Sequence, residues 1–309
     1  MPIRVDIFLE NMFDFIKNLI FKKTDTNVVQ LNTGSVKAHY NYEKQIDRLK
    51  QYGMIVNNGD FAKEFLRNHE YYRLSGYCHL FIQNDKFIKK ISFEDIVDVY
   101  EFDRALRILI LEYLYKIEIK LKSIISYYCA DTYDSLAYLD YNNFNSKKFH
   151  KNFLTTAKRE IGRSDEKFID HHIKNKNSVF PIWVVFEVLS FGTISKFYKN
   201  MKTKDKKALS KLYFNGIDYE YIENWINVLS NFRNLCAHNS RLYNKKIFHT
   251  SIKYDNKLVC DNNSDIYDRI KILIIFLDNV DKKEFDNRMK ELCNNHIFAK
   301  NNLDYTYGN

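Results

Sequence analysis

SFEDIVDVYEFDRALRILILEYLYKIEIKLKSIISYYC, residues 92–129, runs for more than thirty residues without Gly or Pro. Ser92 and Asp95 stand three apart at its start, the spacing of a capping box, in which each side chain satisfies a backbone N–H of the other residue. Ile96, Val99, Tyr100, Leu106, Leu109, Ile110, Leu114, Ile117, Leu121 and Ile124 then recur at helical spacing. The stretch predicts one helix from Ser92 to about Cys129, a length that suits the central helix of a bundle.

Composition points the same way. The 309 residues include only 2 Pro and 8 Gly, fewer than a sheet with many tight turns needs. Hydrophobic residues make up 45%, enough for a substantial core. No repeat and no Pro- or Ser-rich linker divides the middle, so an all-α domain over 36–295 is the simplest organisation. An amphipathic helix and linker (1–35) precede it and a tail (296–309) follows.

Helices are expected at 41–53, closed by Gly53, and at 61–82, as one helix broken near Gly76 or two in sequence. Another begins at LTTAKREIGRS (154–164) and runs into the basic, His-containing DEKFIDHHIKNKN (165–177). PIWVVFEVLSFGTISKFYKNM (181–201) reads as an apolar helix kinked at Gly192. A helix over 217–242 is followed by an irregular or strand-like patch, 246–260, and two closing helices, 264–279 and 282–294. Residues 6–23 set Asp6, Glu10, Asp14 and Lys17 opposite Ile7, Phe8, Phe13 and Ile16. This is a helix packed on the body or on a partner, with a membrane-surface helix as the alternative.

The net charge of +9 favours polyanionic partners. Five cysteines with no CxxC pair argue against a disulfide scaffold or a structural zinc site and fit a reducing cytoplasm. No stretch reaches the roughly 18–20 uncharged apolar residues of a membrane span. The densest, ALRILILEYLY (105–115), contains Arg107 and Glu112.

Chemistry concentrates in NWINVLSNFRNLCAHNSRLYN (224–244). On a continuous helix Arg233 and His238 lie about 140° apart and about 7.5 Å along the axis. They reach one target only across a cleft, or if the helix ends near Ala237. Asn234 shares a face with His238, and Arg241 lies one turn beyond. Histidine moves a proton near neutral pH, and arginine clamps phosphate oxygens bidentately. Together they can activate a ribose 2′-hydroxyl and stabilise charge on phosphorus, which is metal-free RNA cleavage. Asn234 and Asn239 can orient the imidazole or bind phosphate. On spacing alone, a solvated or structural pair is the commoner case.

RNLCAHN resembles the R-x4-6-H signature of HEPN domains. YYRLSGYCHLFI (71–82), YEFDRALRILILEYLYKIEIKLK (100–122), 181–201 and 224–244 resemble, in order and spacing, the Abi-like (AbiD/AbiF) abortive infection family over about residues 40–295. The resemblance implies a bacterial anti-phage protein with a HEPN-type helical bundle. It implies RNA cleavage without a cofactor, with Arg233 and His238 as the catalytic pair. One R-x4-H per chain implies a site built across a homodimer. A structured regulatory RNA is a further partner implied. The alternative is a non-catalytic RNA-binding or partner-binding scaffold. Stable membrane association is not expected.

Other residues carry weaker signals. Lys196, Lys199, Lys202, Lys204, Lys206 and Lys207 interleave with Phe197 and Tyr198, a pattern for RNA contact or for a solvated surface. KKFHK (147–151) is a lesser version of it. Arg73, among aromatics, reads as packing, with RNA contact as the alternative. Arg104, Arg107 and Glu118 read as solvated; turned inward, Glu118 or Arg104 would hold Arg233 or His238. No acidic ligand set surrounds His171 and His172 at metal spacing. Cys236 reads as a small buried residue.

Overall fold

The computed structural model describes residues 39–247, 250–255, 257–259 and 265–303. The helix and linker expected over 1–35 lie outside these. The described residues from Tyr42 onward belong to one compact, all-α unit. Its helices are α1 (Tyr42–Gln51), α2 (Gly59–His69), α3 (Tyr71–Cys78), α4 (Phe93–Thr132), α5 (Lys147–Arg163), α6 (Lys167–Asn175), α7 (Ile182–Val188), α8 (Phe191–Asn200), α9 (Thr203–Tyr213), α10 (Tyr219–Ala237), α11 (Asp265–Phe276), α12 (Asn279–Asn295) and α13 (Ile297–Asn301).

Helix α4 is the axis. Its 40 residues span about 60 Å at helical rise. The capping box forms as the sequence predicts: the Ser92 hydroxyl accepts from the Asp95 N–H at 3.1 Å, and the Asp95 carboxylate accepts from the Ser92 N–H at 2.8 Å. Buried residues such as Ile96, Phe102, Leu106, Tyr113 and Ile117 point to several sides of α4, because α3, α7, α8, α10, α12 and α13 all pack on it. A helix covered on most sides loses the one-sided apolar stripe of a surface helix.

The helix breaks differ from those expected. The 61–82 stretch divides at Glu70, whose φ is +61°, and Gly76 sits inside α3. The 181–201 stretch divides at Leu189–Ser190, where extended backbone lets the Ser190 hydroxyl cap the Thr193 N–H of α8 at 3.3 Å. Gly192 therefore lies within a helix, facing Ser230 of α10. At Ser190 a side-chain cap sets the break, and at Glu70 it is a positive-φ residue without a side-chain cap; neither glycine marks the place. A hairpin, β1 (Ile82–Gln83) with β2 (Lys86–Phe87), turns on Asn84 and Asp85 at φ +50° and +57°. This is the two-residue turn that Asn and Asp tolerate. Described parts of 246–260 are irregular, with one isolated bridge between Asp255 and Val259.

Charges expected in solvent turn inward on α4. Arg104 is exposed and pairs with Glu101, but Arg107 and Glu118 are buried. Arg107 pairs with fully buried Asp103, and Glu118 lies 3.3 Å from the Lys122 ammonium. Each buried charge has a partner, as the low-dielectric interior demands. Between Arg107 and Glu118 in sequence, Glu112 is gripped by Arg288 of α12 with two hydrogen bonds, 2.8 and 2.9 Å. Residues 297–301, placed by sequence in the tail, form α13 against α4. Asp98 accepts from the Ala299 N–H at 2.9 Å, and Ala299 is fully buried.

Asp103→Ala is expected to destabilise the fold by about 3–5 kcal/mol, since Arg107 stays buried without its counter-charge. A lower urea midpoint at unchanged slope is the readout. Ser92→Ala, which removes only the cap, is expected to cost about 1 kcal/mol on the same measurement.

Candidate nucleic-acid site at the end of helix α10

Helix α10 buries Ile222, Trp225, Ile226, Leu229, Phe232 and Cys236, a 3–4 residue spacing that seats it against α4 and α8. It ends at Ala237. The Asn239 N–H donates to the Cys236 carbonyl at 3.2 Å and the Ser240 N–H to the Leu235 carbonyl at 3.0 Å. Asn239 takes φ +54°. These bonds define a Schellman stop with Asn in the left-handed position usually filled by Gly. The change from apolar to polar sequence is thus a helix terminus, and His238 is its exposed cap residue.

The sequence-predicted residues separate into two places. Arg233 faces a groove of about 440 Å³ beside α4, lined by Ile108, Leu111, Glu112, Tyr115, Glu118 and Ala237; the Glu112 carboxylate is already paired with Arg288. Its Nε lies 3.8 Å from the Glu118 carboxylate, and its Nη1 donates to the Asn234 side-chain oxygen at 3.4 Å. Glu118 thus holds Arg233, the inward alternative for that residue. Among the described residues, the His238 side chain has no hydrogen-bond or ion-pair partner.

Arg241 and Arg73 lie in the second place. Arg241 donates from Nη1 to the Gly76 carbonyl oxygen of α3. Arg73 donates to the Asn239 carbonyl oxygen at 3.1 Å and sits over the Tyr100 ring, 5.7 Å from its centre. The following backbone is clamped more firmly. Asp103 accepts from the N–H groups of Leu242 at 2.9 Å and Tyr243 at 2.7 Å. The turn carrying His238 is therefore fixed between α3 and α4.

The lysines of 196–207 also divide. Lys196, Lys199, Lys204 and Lys207 are exposed and Lys202 is half-buried. Lys206 is buried, donating to Glu223 at 2.6 Å and to the Lys199 carbonyl at 3.3 Å. Its charge is neutralised within the fold, so it has none to offer a strand. Lys196 and Lys199 edge a groove of about 630 Å³ with Phe149, Thr156 and Arg159 of α5. Phe149 is 56% exposed, a platform beside three cations. KKFHK hinted at Phe149 in the sequence. Arg159 has no local signal, because only the packing of α5 on α8 brings it there.

His171 is exposed, and His172 donates from Nδ1 to the Val179 carbonyl oxygen at 2.8 Å. Among the described residues no group of three His, Cys, Asp or Glu side chains is placed to hold a metal ion, and no helix is long and apolar enough to cross a membrane. Cys236 is buried, and burial pushes its thiol up to about 12.

A central helix that pins an Arg- and His-bearing helix terminus against its own flank defines an all-α protein with a polar site at the end of α10. A family model described as Abi-like protein matches residues 64–244, which span α3, α4 and the whole α10 terminus. The chain belongs to this family of abortive-infection, phage-defence proteins. No curated protein and no solved structure matches it.

Two outcomes follow from the terminus. Asn239→Gly is expected to leave the melting temperature near the parent's, and Asn239→Val to lower stability by about 1–2 kcal/mol, because a β-branched residue resists positive φ. Burial raises Cys236, Cys78 and Cys129 to about 12 from an ordinary 9.0. The folded state therefore disfavours the thiolate. Stability from these groups is intact below pH 9.0 and lost as pH rises toward about 12, so the denaturation midpoint should fall over that window. A midpoint flat across it would contradict the burial.

Proposed function

We propose that the chain is a HEPN-type, metal-independent endoribonuclease of phage defence, acting in the cytoplasm as a homodimer. The observation that carries this reading is the α10 terminus: an exposed, unpartnered His238 one Schellman turn from a groove-facing Arg233, inside a family-length match.

The chemistry assigns each group a role. His238 takes the proton of a ribose 2′-hydroxyl, and the oxygen attacks the adjacent phosphorus. Arg233 stabilises the charge on the five-coordinate phosphorus, with Glu118 keeping its guanidinium at the groove. The 5′-oxygen leaves with a proton from the second copy's His238. The products are a 2′,3′-cyclic phosphate and a 5′-hydroxyl. Asn234 orients Arg233 through its side-chain oxygen. Asn239 acts chiefly as the helix stop that presents His238.

The dimer reading rests on the face beside Arg233. Ile108, Tyr115 and Ile119 are 55%, 63% and 49% exposed, at helical spacing on α4. An apolar stripe of this kind suits a self-complementary contact, in which a second α4 would bring a second Arg233 and His238 to the same groove. RNA then extends over the groove of Phe149, Arg159, Lys196 and Lys199, with phosphates on the cations and a base on the ring. A structured RNA could occupy the same surface as a regulator.

The groove at Phe149 also favours a second reading, a non-catalytic RNA-binding scaffold. The two readings differ at His238 and Arg233. If the protein is a nuclease, His238→Ala and Arg233→Ala lose cleavage by roughly 10²–10⁴-fold and no longer arrest growth when expressed in bacteria, while RNA binding persists. Cleaved RNA should carry cyclic phosphate ends. Cleavage and growth arrest undiminished in both variants would sink the nuclease reading. Tyr115→Glu should yield a monomer by sedimentation and abolish cleavage with it; a cleaving monomer would remove the dimer.

A further inference from the structure

Behind His238, on the side of the terminus away from the Arg233 groove, lies a pocket of about 190 Å³ lined by Arg73, Gly76, Tyr77, Asn239, Arg241 and Lys245. It gathers three cations and no acidic side chain. The arginines meet backbone carbonyls, not carboxylates: Arg73 at Asn239 and Arg241 at Gly76. Their charges remain uncompensated at the pocket. The Tyr77 hydroxyl is spent on Asp103, at 2.7 Å, and that carboxylate is already saturated by Tyr77, Arg107 and two backbone N–H groups.

Two features single this pocket out. The Nε–H groups of both Arg73 and Arg241 are shielded from solvent and have no acceptor. Orphaned guanidinium donors are costly, and an arginine fork is built to give Nε–H and Nη–H together to one oxyanion. The second feature is Gly76. It lies in mid-helix with no positive φ, and a Cβ there would meet nothing within 4 Å. Neither the backbone nor packing in the free chain requires glycine, and glycine weakens a helix relative to alanine. What the missing side chain does is leave the pocket open.

We propose that this pocket is a phosphate-binding site. The two guanidinium edges turn onto one tetrahedral oxyanion, and Lys245 adds a third charge. Asn239 belongs both to the pocket and to the turn that presents His238. A phosphodiester held here would anchor an RNA strand next to the proposed cleavage position. The RNA source rests on the reading above; the phosphate site does not.

The test uses the full chain carrying His238→Ala, so that RNA stays intact, with Lys245→Gln and Gly76→Leu added separately. Lys245 donates no side-chain hydrogen bond within the described fold, and Gly76→Leu fills the pocket without removing charge. Binding of a fluorescent single-stranded RNA is read by anisotropy against salt, and thermal unfolding is followed with inorganic phosphate. Both variants should weaken RNA binding, Lys245→Gln roughly tenfold and with a salt slope smaller by about one. Phosphate should raise the parent's melting temperature and neither variant's. Unchanged RNA affinity and unchanged phosphate stabilisation in both variants overturn the proposal. Lost phosphate stabilisation with intact RNA affinity overturns the RNA source and leaves a site for free phosphate or a nucleotide. If Gly76→Leu does not fold, Lys245→Gln decides alone. Because no cleavage is measured, a failed nuclease reading leaves this result standing.

Discussion

One carboxylate ties the candidate site to the scaffold. Asp103, fully buried on α4, accepts from the Tyr77 hydroxyl of α3, from its own helical neighbour Arg107, and from the backbone N–H groups of Leu242 and Tyr243. A buried ion is tolerable only when paired and fully hydrogen-bonded. Here that requirement fixes three elements at once: the long helix, the short helix before it, and the chain that leaves α10. Were the N–H groups of 242 and 243 to move, the carboxylate would lose half its partners.

The geometry of the terminus follows. Helix α10 is seated by its apolar stripe and stopped by Asn239 at φ +54°, and the clamp downstream sets the direction of the exit. Arg233 is left on the groove beside α4, restrained by Glu118, while Arg241 crosses to the Gly76 carbonyl of α3. His238 stands on the cap between them, with no side-chain partner among the described residues. A polar side chain held on a rigid turn, with its own bonding capacity unspent, is what a reacting group requires.

Much of this could be read beforehand and some could not. The capping box and the unbroken run to about Cys129 identify α4, which the structure carries on to Thr132, because caps and periodicity are local. The terminus near Ala237 was foreseen as one of two ways for Arg233 and His238 to reach a common target. Glycine content points to breaks at Gly76 and Gly192, and the chain instead breaks at Glu70 and Ser190. Glycine permits a break, but a side-chain cap or a tertiary constraint chooses where it occurs. Arg107 and Glu118 were expected in solvent because nothing in an isolated helix says which face will be covered. Lys206 looked like its five neighbours until Glu223, seventeen residues away, took its charge.

By itself the sequence determined the helical class, the central helix, the family and the identity of the Arg/His terminus. Each is written in local spacing, or in motifs whose order along the chain carries the information. Only the tertiary structure decided which charges are spent and which are free. Asp103 finds its backbone partners about 140 residues away, and Arg73, Arg241 and Lys245 become one pocket only when α3 docks on the exit from α10. Burial and ion pairing depend on distances in space, and long-range packing sets those distances.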